Sequence, residues 1–587
     1  MDGLEGRLAA LRDKAKSLHQ QRRFAESLDA HEEALRLAPD AMVIRLSAAR
    51  LAHSLEMQEV SLRHYEEAVR VDPRCYEAVE AARRICVGAG FAERALQYAR
   101  MAHEFSPSPA AQLSMQLLVP SIMQSSAAID ETRERYERGL DAMLAAPPQL
   151  ESPAGTVGVS AFFLAYHGRS DRQLQEKTAR LYLAAIPSLA FVAPHCADRS
   201  GRRAGTDRAG AKIRIGFISR FFASHSIFST SIGLIEKLSR ERFEVVALRI
   251  TPSRDDAATA RVRAAADLTV NLDPDLYRAR EQIAALELDI LFYQDIGMEP
   301  ISFFLAFARL APVQCVSFGH PNTTGIPTMD YFISNDLFEP PQPEAHYSER
   351  LILLRDLPTL AYYYRPKLPP GAPDRAAPDV SARAAPDVSG RAAFGLPLEA
   401  HLYVCPQTLF KLHPDFDAML AGILDRDPKG LVVLIAGQFQ EFTDRLRARF
   451  ARALPAHAHR IVFLPFMPLE RFMQLLCVAD VILDTPHFNG MNSSLQAFAA
   501  GTPVVTLPGE LQRGRHTQAM YRKMGILDCM AAGPGDYVDI AVRIAADPAH
   551  ARALRRRILA RNHVLFEDPR VVEEFERFFT GACGDGR

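Results

Sequence analysis

Three prolines set the frame of this sequence. Pro39, Pro73 and Pro107 stand 34 residues apart, and the same interval links Leu28, Leu62 and Leu96, and Ala34, Ala68 and Ala102. A repeat of that length with helical patterning builds a stack of helix pairs, because one unit cannot bury its apolar face alone. Alanine at a fixed helical position lets paired helices approach closely. A proline cannot continue a helix, and so it closes each unit.

A 34-residue period closed by proline is the tetratricopeptide signature, so residues 1–112 are expected to form such repeats. An unrelated helical bundle is the alternative, and in either case the segment is a helical interaction module. The pattern stays helical through 113–210, in DETRERYERGLDAML and DRQLQEKTARLYLAAI, with a polar glycine-rich loop from Gly201 to Gly210. The texture then changes. The runs IRIGFIS, FEVVALRI, LDILFYQD, VQCVSFG and DYFISN alternate with helical patterns over 211–365. Such alternation predicts βα units on a parallel sheet. Residues 366–391, with RAAPDVS at 375–381 and again at 383–389, read as a flexible linker. The alternation resumes over 392–587 with LYVCPQ, LVVLIAG, RIVFLP, DVILDT and TPVVTLPG. The expected fold is therefore helical repeats followed by two α/β lobes.

With 69 basic and 70 acidic residues the chain is nearly neutral, which favours neither nucleic acid nor an anionic membrane surface. The N-terminus lacks a secretory pattern and no apolar stretch approaches the ~20 residues of a bilayer span. The eight cysteines are scattered without a C-x-x-C pair. The reading is a cytoplasmic, enzyme-sized protein without disulfides, structural zinc or membrane span.

Ligands of open α/β sheets bind beyond the carboxyl ends of strands. The polar residues at those ends are His225 after GFIS, Asp295 after LFYQ, His320 after VSFG and Lys411 after LYVCPQ. The stretch PHFNGMNSSLQAFAAGTP follows VILDT. Within it Gly490 marks a tight turn, and Asn492, Ser493 and Ser494 fall in the first turn of an apolar helix. Free N–H groups, the positive helix end and small hydroxyls suit a diphosphate, although Asn and Ser are also ordinary caps. Lysine is scarce among the basic residues, so Lys411 reads as a compact charge kept for phosphate. His225 fits a general base or a hydrogen-bond donor. There is no G-x-G-x-x-G and no P-loop. The Asp-x-Asp pairs at 273–275 and 425–427 read as caps or turns and not as metal ligands.

RIGFISRFFASHS, LAPVQCVSFGHPNTTGIPTMDYFISND, TLFKLHP and LDTPHFNGMNSSLQAFAAGTPVVTLPGE occur here in that order. In these stretches the chain resembles the O-linked N-acetylglucosamine transferase and SPINDLY family of tetratricopeptide glycosyltransferases, its bacterial members above all. The resemblance covers about residues 160–560. It implies two facing Rossmann-like lobes of the GT-B kind. It also implies an inverting, metal-independent transfer of a sugar from a nucleotide diphosphate, a UDP-sugar, to a protein side chain. By position His225 matches the family's active-site histidine, and Lys411 matches the lysine that neutralises the leaving diphosphate. Asn489, Gly490, Met491, Asn492, Ser493 and Ser494 match the phosphate-binding helix start, and Met467 to Phe472, with Pro468 and Leu469, fall where the family holds uracil.

The sequence departs from that pattern where the family has Lys and His around the base, here Leu469 and Phe472. It departs again at Met491, Asn492 and Ser493 in place of His-Thr-Thr, at Gln496 in place of a ribose-binding Asp, and at Thr408 in place of Gln. Phe472 remains able to stack on a base. These differences bear on the base and sugar of the donor more than on the reaction. The expected function is transfer of GlcNAc or another hexose to Ser or Thr of a protein recruited by the repeats. An Asn-linked glucosyltransferase, or a scaffold with decayed transferase lobes, is the alternative. No cofactor and no metal are expected.

Overall fold

The structure is a computed structural model that describes residues 2–55, 57–105, 107–151, 160–197, 212–369 and 388–584. The loop expected at Gly201 to Gly210 and most of the expected linker lie outside the described residues. The end of that linker call is corrected, because Val388–Phe394 forms a 3-10 helix. The chain divides into two compact units, one made chiefly of Met1–Ser121 and the other chiefly of Ala161–Arg587.

In the first unit the helices Asp2–Gln20, Met42–Ser54 and Tyr76–Ala89 each pair with the helix that follows. Those partners, Phe24–Leu37, Gln58–Val71 and Ala92–Phe105, start at the 34-residue interval of the prolines. Ala34, Ala68 and Ala102 are all fully buried, as the close approach of paired helices requires. The repeat extends to hydrogen bonds. Ser27 Oγ donates to Ala15 O at 2.8 Å, and Ser61 Oγ, one period later, donates to Ala49 O at 2.9 Å.

The second unit holds two parallel sheets. The first comprises β1 (Ile213–Ser219), β2 (Phe243–Ile250), β3 (Leu268–Leu272), β4 (Ile290–Tyr293), β5 (Val313–Val316), β6 (Tyr331–Asn335) and β7 (Arg350–Leu354), in the order β3-β2-β1-β4-β5-β6-β7. The second comprises β8 (His401–Cys405), β9 (Gly430–Ile435), β10 (Ile461–Leu464), β11 (Val481–Leu483) and β12 (Val504–Val505), in the order β10-β9-β8-β11-β12. β1, β4 and β5 are almost wholly apolar and buried, as strands covered on both faces must be. The strand order reverses between β1 and β4 and again between β8 and β11, which are the two points where such sheets bind ligands.

The carboxyl edges of the two sheets meet. Gln512 Nε2 donates to Ser334 Oγ at the end of β6 at 3.0 Å, and Arg513 Nη1 donates to Asn322 Oδ1 beyond β5 at 3.2 Å. The last helix, Pro569–Gly584, follows the second lobe in sequence but packs on the first sheet. Its Phe575 and Phe579 rings lie 5.8 Å and 5.9 Å from Phe292 of β4. Among the described residues no helix is long and apolar enough to cross a membrane.

Candidate functional site

Lys411 stands just past β8, at the reversal of the second sheet. Its ammonium donates to Gln407 Oε1 at 3.1 Å and to Asn489 O at 3.2 Å, and lies 4.7 Å from the centre of the Phe488 ring. Burial pushes its pKa down to about 8, against the opposing pull of Asp484. At neutral pH it is still charged. Asp484, the residue after β11, is fully buried and accepts the Gly490 N–H at 2.7 Å and the Thr506 hydroxyl at 2.9 Å. Burial raises its pKa to about 6. These bonds hold the loop Thr485–Met491 against the sheet end.

Gly490 is there because nothing larger fits. A Cβ at that position would lie 2.2 Å from both Gln407 Nε2 and Ser493 Oγ. The helix Asn492–Ala499 begins directly beyond, with Met491 at its N-cap position and no side-chain cap. Its first N–H groups are therefore donors left for a ligand. The two serine hydroxyls differ. Ser493 Oγ accepts from Gln407 Nε2 at 2.7 Å, and Ser494 Oγ donates to Gly490 O at 3.0 Å. Ser494 is thus engaged as a donor within the protein, whereas the Ser493 hydroxyl keeps its proton to donate. Asn489 donates its N–H to Arg513 O at 2.7 Å and its side-chain amide to Thr485 O at 2.8 Å. Thr408 is exposed, without a cap bond, at the N-cap of a short 3-10 turn. Gln496 is half-buried one turn into the helix.

At the reversal of the first sheet, His225 is the N-cap of the helix Ser226–Lys237, and its Nδ1 accepts the Ile227 N–H at 3.2 Å. Burial, with Arg254 nearby, lowers its pKa to about 4, so the ring is neutral. With Nδ1 accepting, the ring proton sits on Nε2. In this form the ring presents Nε2–H as a hydrogen-bond donor. Asp295 lies just past the end of β4. It is fully buried and accepts from Ser219 Oγ at 2.6 Å, anchoring the end of β1. Its pKa rises to about 7 through burial and the neighbouring Glu299. His320 is buried too, stacked at 4.8 Å on Phe162, with burial and the charges of Arg513 and Lys411 lowering its pKa to about 3.

The stretch expected to hold the base runs from the loop after β10 into the helix Leu469–Val478. A cavity of about 700 Å³ opens beyond β10, lined by Phe394, Phe466, Met467, Pro468 and Arg471 among others. Met467 and Pro468 line it, whereas Leu469 and Phe472 do not. Phe472 lies half-buried on the helix Leu469–Val478, and Leu469 is 63% exposed. The aromatic faces at the cavity are Phe466, which is 68% exposed, and Phe394, with the Arg471 guanidinium 4.2 Å above its ring.

Sequence reading passed over Gln407, Asp484, Arg513 and His167. Gln407 and Asp484 carried the same strand-end signal as Lys411. Arg513 is buried and binds Asp171 Oδ2 at 2.9 Å, and His167 is buried with neither ring nitrogen bonded among the described residues. No local pattern marks either one. His413, Asp415 and His487 offer ligand atoms within 4.8 Å of one another, as a metal site would. Those atoms are already engaged. Asp415 Oδ2 lies 2.9 Å from His487 Nε2, and His413 Nδ1 accepts the Asp415 N–H at 3.1 Å.

Paired Rossmann-like lobes whose strand-order reversals face one another form the GT-B architecture of nucleotide-sugar glycosyltransferases. More narrowly, the chain belongs to glycosyl transferase family 41, whose model matches residues 176–359 and 373–570. The probable UDP-N-acetylglucosamine–peptide N-acetylglucosaminyltransferase SEC of Arabidopsis thaliana is 23% identical over 63% of this chain. The UDP-glucose:protein N-beta-glucosyltransferase of Actinobacillus pleuropneumoniae is 26% identical, over 62% of this chain and 56% of its own length. A structure of a mutant Thermobaculum terrenum O-GlcNAc transferase shares the fold, with a TM-score of 0.66 at 24% identity over 100% of this chain and 99% of that one. The chain spans little more than a third of the plant relatives it matches, 37% of SEC and 36% of SPINDLY.

Proposed function

We propose that this protein transfers a sugar, GlcNAc or another hexose, from a UDP-linked donor to Ser or Thr hydroxyls of a protein. One observation carries the reading. A lysine ammonium and an uncapped helix start converge at the strand-order reversal of the second sheet, where a diphosphate would meet a positive charge and free N–H groups. The cavity beyond β10 lies two strands away, about 10 Å at ordinary strand spacing. That separation suits a base held by Phe466 and Phe394 with its diphosphate at Lys411.

In this reading the acceptor oxygen bonds to the anomeric carbon as the bond to the diphosphate breaks, that electron pair leaves on the phosphate, and the hydroxyl proton passes to an oxygen of the departing diphosphate. Lys411 and the Asn492 helix start stabilise the charge that accumulates there. His225, through Nε2–H, orients a donor or acceptor oxygen. Residues 1–112 recruit the acceptor, 211–365 present it, and 392–568 hold the nucleotide. The Actinobacillus relative supports a second reading, in which the acceptor is an Asn amide. The test is intact-mass spectrometry of candidate acceptor proteins incubated with a panel of nucleotide sugars, with thermal shifts of the enzyme in parallel. A hexose or N-acetylhexosamine increment on Ser or Thr is expected. An increment on Asn supports the second reading. No increment and no thermal shift with any UDP compound would leave a scaffold.

A further inference from the structure

The start of the Asn492 helix is met by that of a second helix, His516–Met524. Ser494 Oγ and Thr517 Oγ1 are 2.8 Å apart, and Thr517 Oγ1 also donates to Gly490 O at 3.2 Å. The second helix, like the first, has no side-chain cap. His516 opens it, immediately before the threonine that touches the Gly490 turn. The ring is 2% exposed, and among the described residues neither Nδ1 nor Nε2 has a hydrogen-bond partner. From the first lobe, the Phe338 and Phe318 rings lie 4.6 Å and 6.4 Å from it.

Buried polar groups are almost always bonded, and a residue kept only for packing between two phenylalanines has no use for two nitrogens. One donor and one acceptor of the imidazole are thus unused by the protein among the described residues. Burial first and the Lys411 charge second lower its pKa to about 3, so it is neutral. A neutral imidazole offers one donor and one acceptor. A diphosphate oxygen only accepts, whereas a sugar hydroxyl both donates and accepts. The ring's chemistry matches the sugar.

Resting on the donor-site reading above, we propose that His516 is a contact residue for the transferred sugar, exchanging hydrogen bonds with its hydroxyl groups. It then contributes to the choice of sugar while the Lys411 cradle binds the diphosphate.

The test compares UDP with UDP-glucose and UDP-GlcNAc by calorimetry on the full chain and on His516→Phe and His516→Gln, with melting curves for each. His516→Phe should leave the Kd for UDP within about twofold. It should weaken at least one UDP-sugar about tenfold, the scale of a lost hydrogen bond that leaves a buried partner unpaired. His516→Gln, which keeps a donor and an acceptor, should restore part of that loss and decides the matter if the Phe variant does not fold. Equal weakening of UDP and UDP-sugar, or no change in either, would overturn the sugar contact while leaving the donor site standing. If the parent protein binds none of the three compounds, the donor-site reading fails and this inference falls with it.

Discussion

Lys411 has a half-buried ammonium, and the loss of solvation on burial makes its proton less tightly bound than in water. With a free-protein pKa near 8, it is charged below that pH and loses its proton above it. A diphosphate binds the charged form, so UDP affinity should be flat below about pH 7. Above about pH 8 it should fall by up to about tenfold per pH unit, because binding must then take up a proton. Calorimetry across pH measures the slope, and Lys411→Ala should flatten it. The same variant should lower kcat about 10²–10³-fold, more than it raises KM for the donor, since charge gathers on the diphosphate as the bond breaks. Full turnover in that variant would contradict a role at the leaving group. His225 combines a cap with a proposed contact, and two substitutions separate them. His225→Ala removes the acceptor for Ile227 N–H and should cost about 1 kcal/mol of stability. His225→Asn can keep the cap, so its melting temperature should stay near the parent value while turnover still falls, about 10²-fold, for want of the Nε2–H donor. Equal turnover in the parent and the Asn variant would reduce His225 to a cap.

At the level of elements, the Gly490 turn ties β11 to the helix Asn492–Ala499. A methyl group at Gly490 would collide with Gln407 and Ser493, whose mutual bond spans β8 and that helix. Gly490→Ala should therefore cost about 1–3 kcal/mol in stability as those side chains move aside. It should also weaken UDP binding, and equilibrium denaturation and calorimetry on one preparation can establish both effects. An Ala variant with parent-like UDP affinity would place the diphosphate elsewhere. Most strands were legible, because a buried parallel strand is a short apolar run between turn residues. β3 and β7 escaped notice. They are the two edges of the first sheet, half-exposed along most of their length, and so they lack the signature of strands covered on both faces. The final helix was assigned by sequence order to the second lobe. Its partner was chosen by aromatic complementarity with β4, which sequence order does not encode.

Across the second unit, Asp171 receives Arg133 Nη1 at 2.7 Å and Arg513 Nη2 at 2.9 Å. Arg513 also holds Asn322 of the first lobe, and its carbonyl accepts the Asn489 N–H beside the phosphate loop. One buried carboxylate thus binds two arginines, and Arg513 in turn ties Asn322 of the first lobe to the Asn489 loop of the second. Asp171→Ala should destabilise the unit by about 3–5 kcal/mol, because the guanidiniums are left buried without a counter-charge. A melting temperature close to that of the parent would show that the cluster is wet and weak. The repeats form a separate unit of their own. Deleting residues 1–112 should leave UDP affinity unchanged and slow transfer to a protein acceptor. Equal protein-transfer rates in a folded truncation would count against recruitment by the repeats.

The repeat period, the apolar strands, Lys411 after β8 and the glycine-asparagine-serine turn could all be read from the chain alone. Each is a local pattern, fixed by helix or strand geometry within a few residues. Which groups meet was another matter. Gln407 reaches Ser493 across 86 residues of sequence, and Arg513 reaches Asp171 across 342. Asp295 meets the Ser219 hydroxyl of the neighbouring strand, and Phe472 falls half-buried on the helix Leu469–Val478. His516 carries no local mark at all. It acquires meaning when the tertiary fold buries it beside Lys411 with both nitrogens unbonded, since burial and missing partners are properties of the packed molecule and not of the sequence around it.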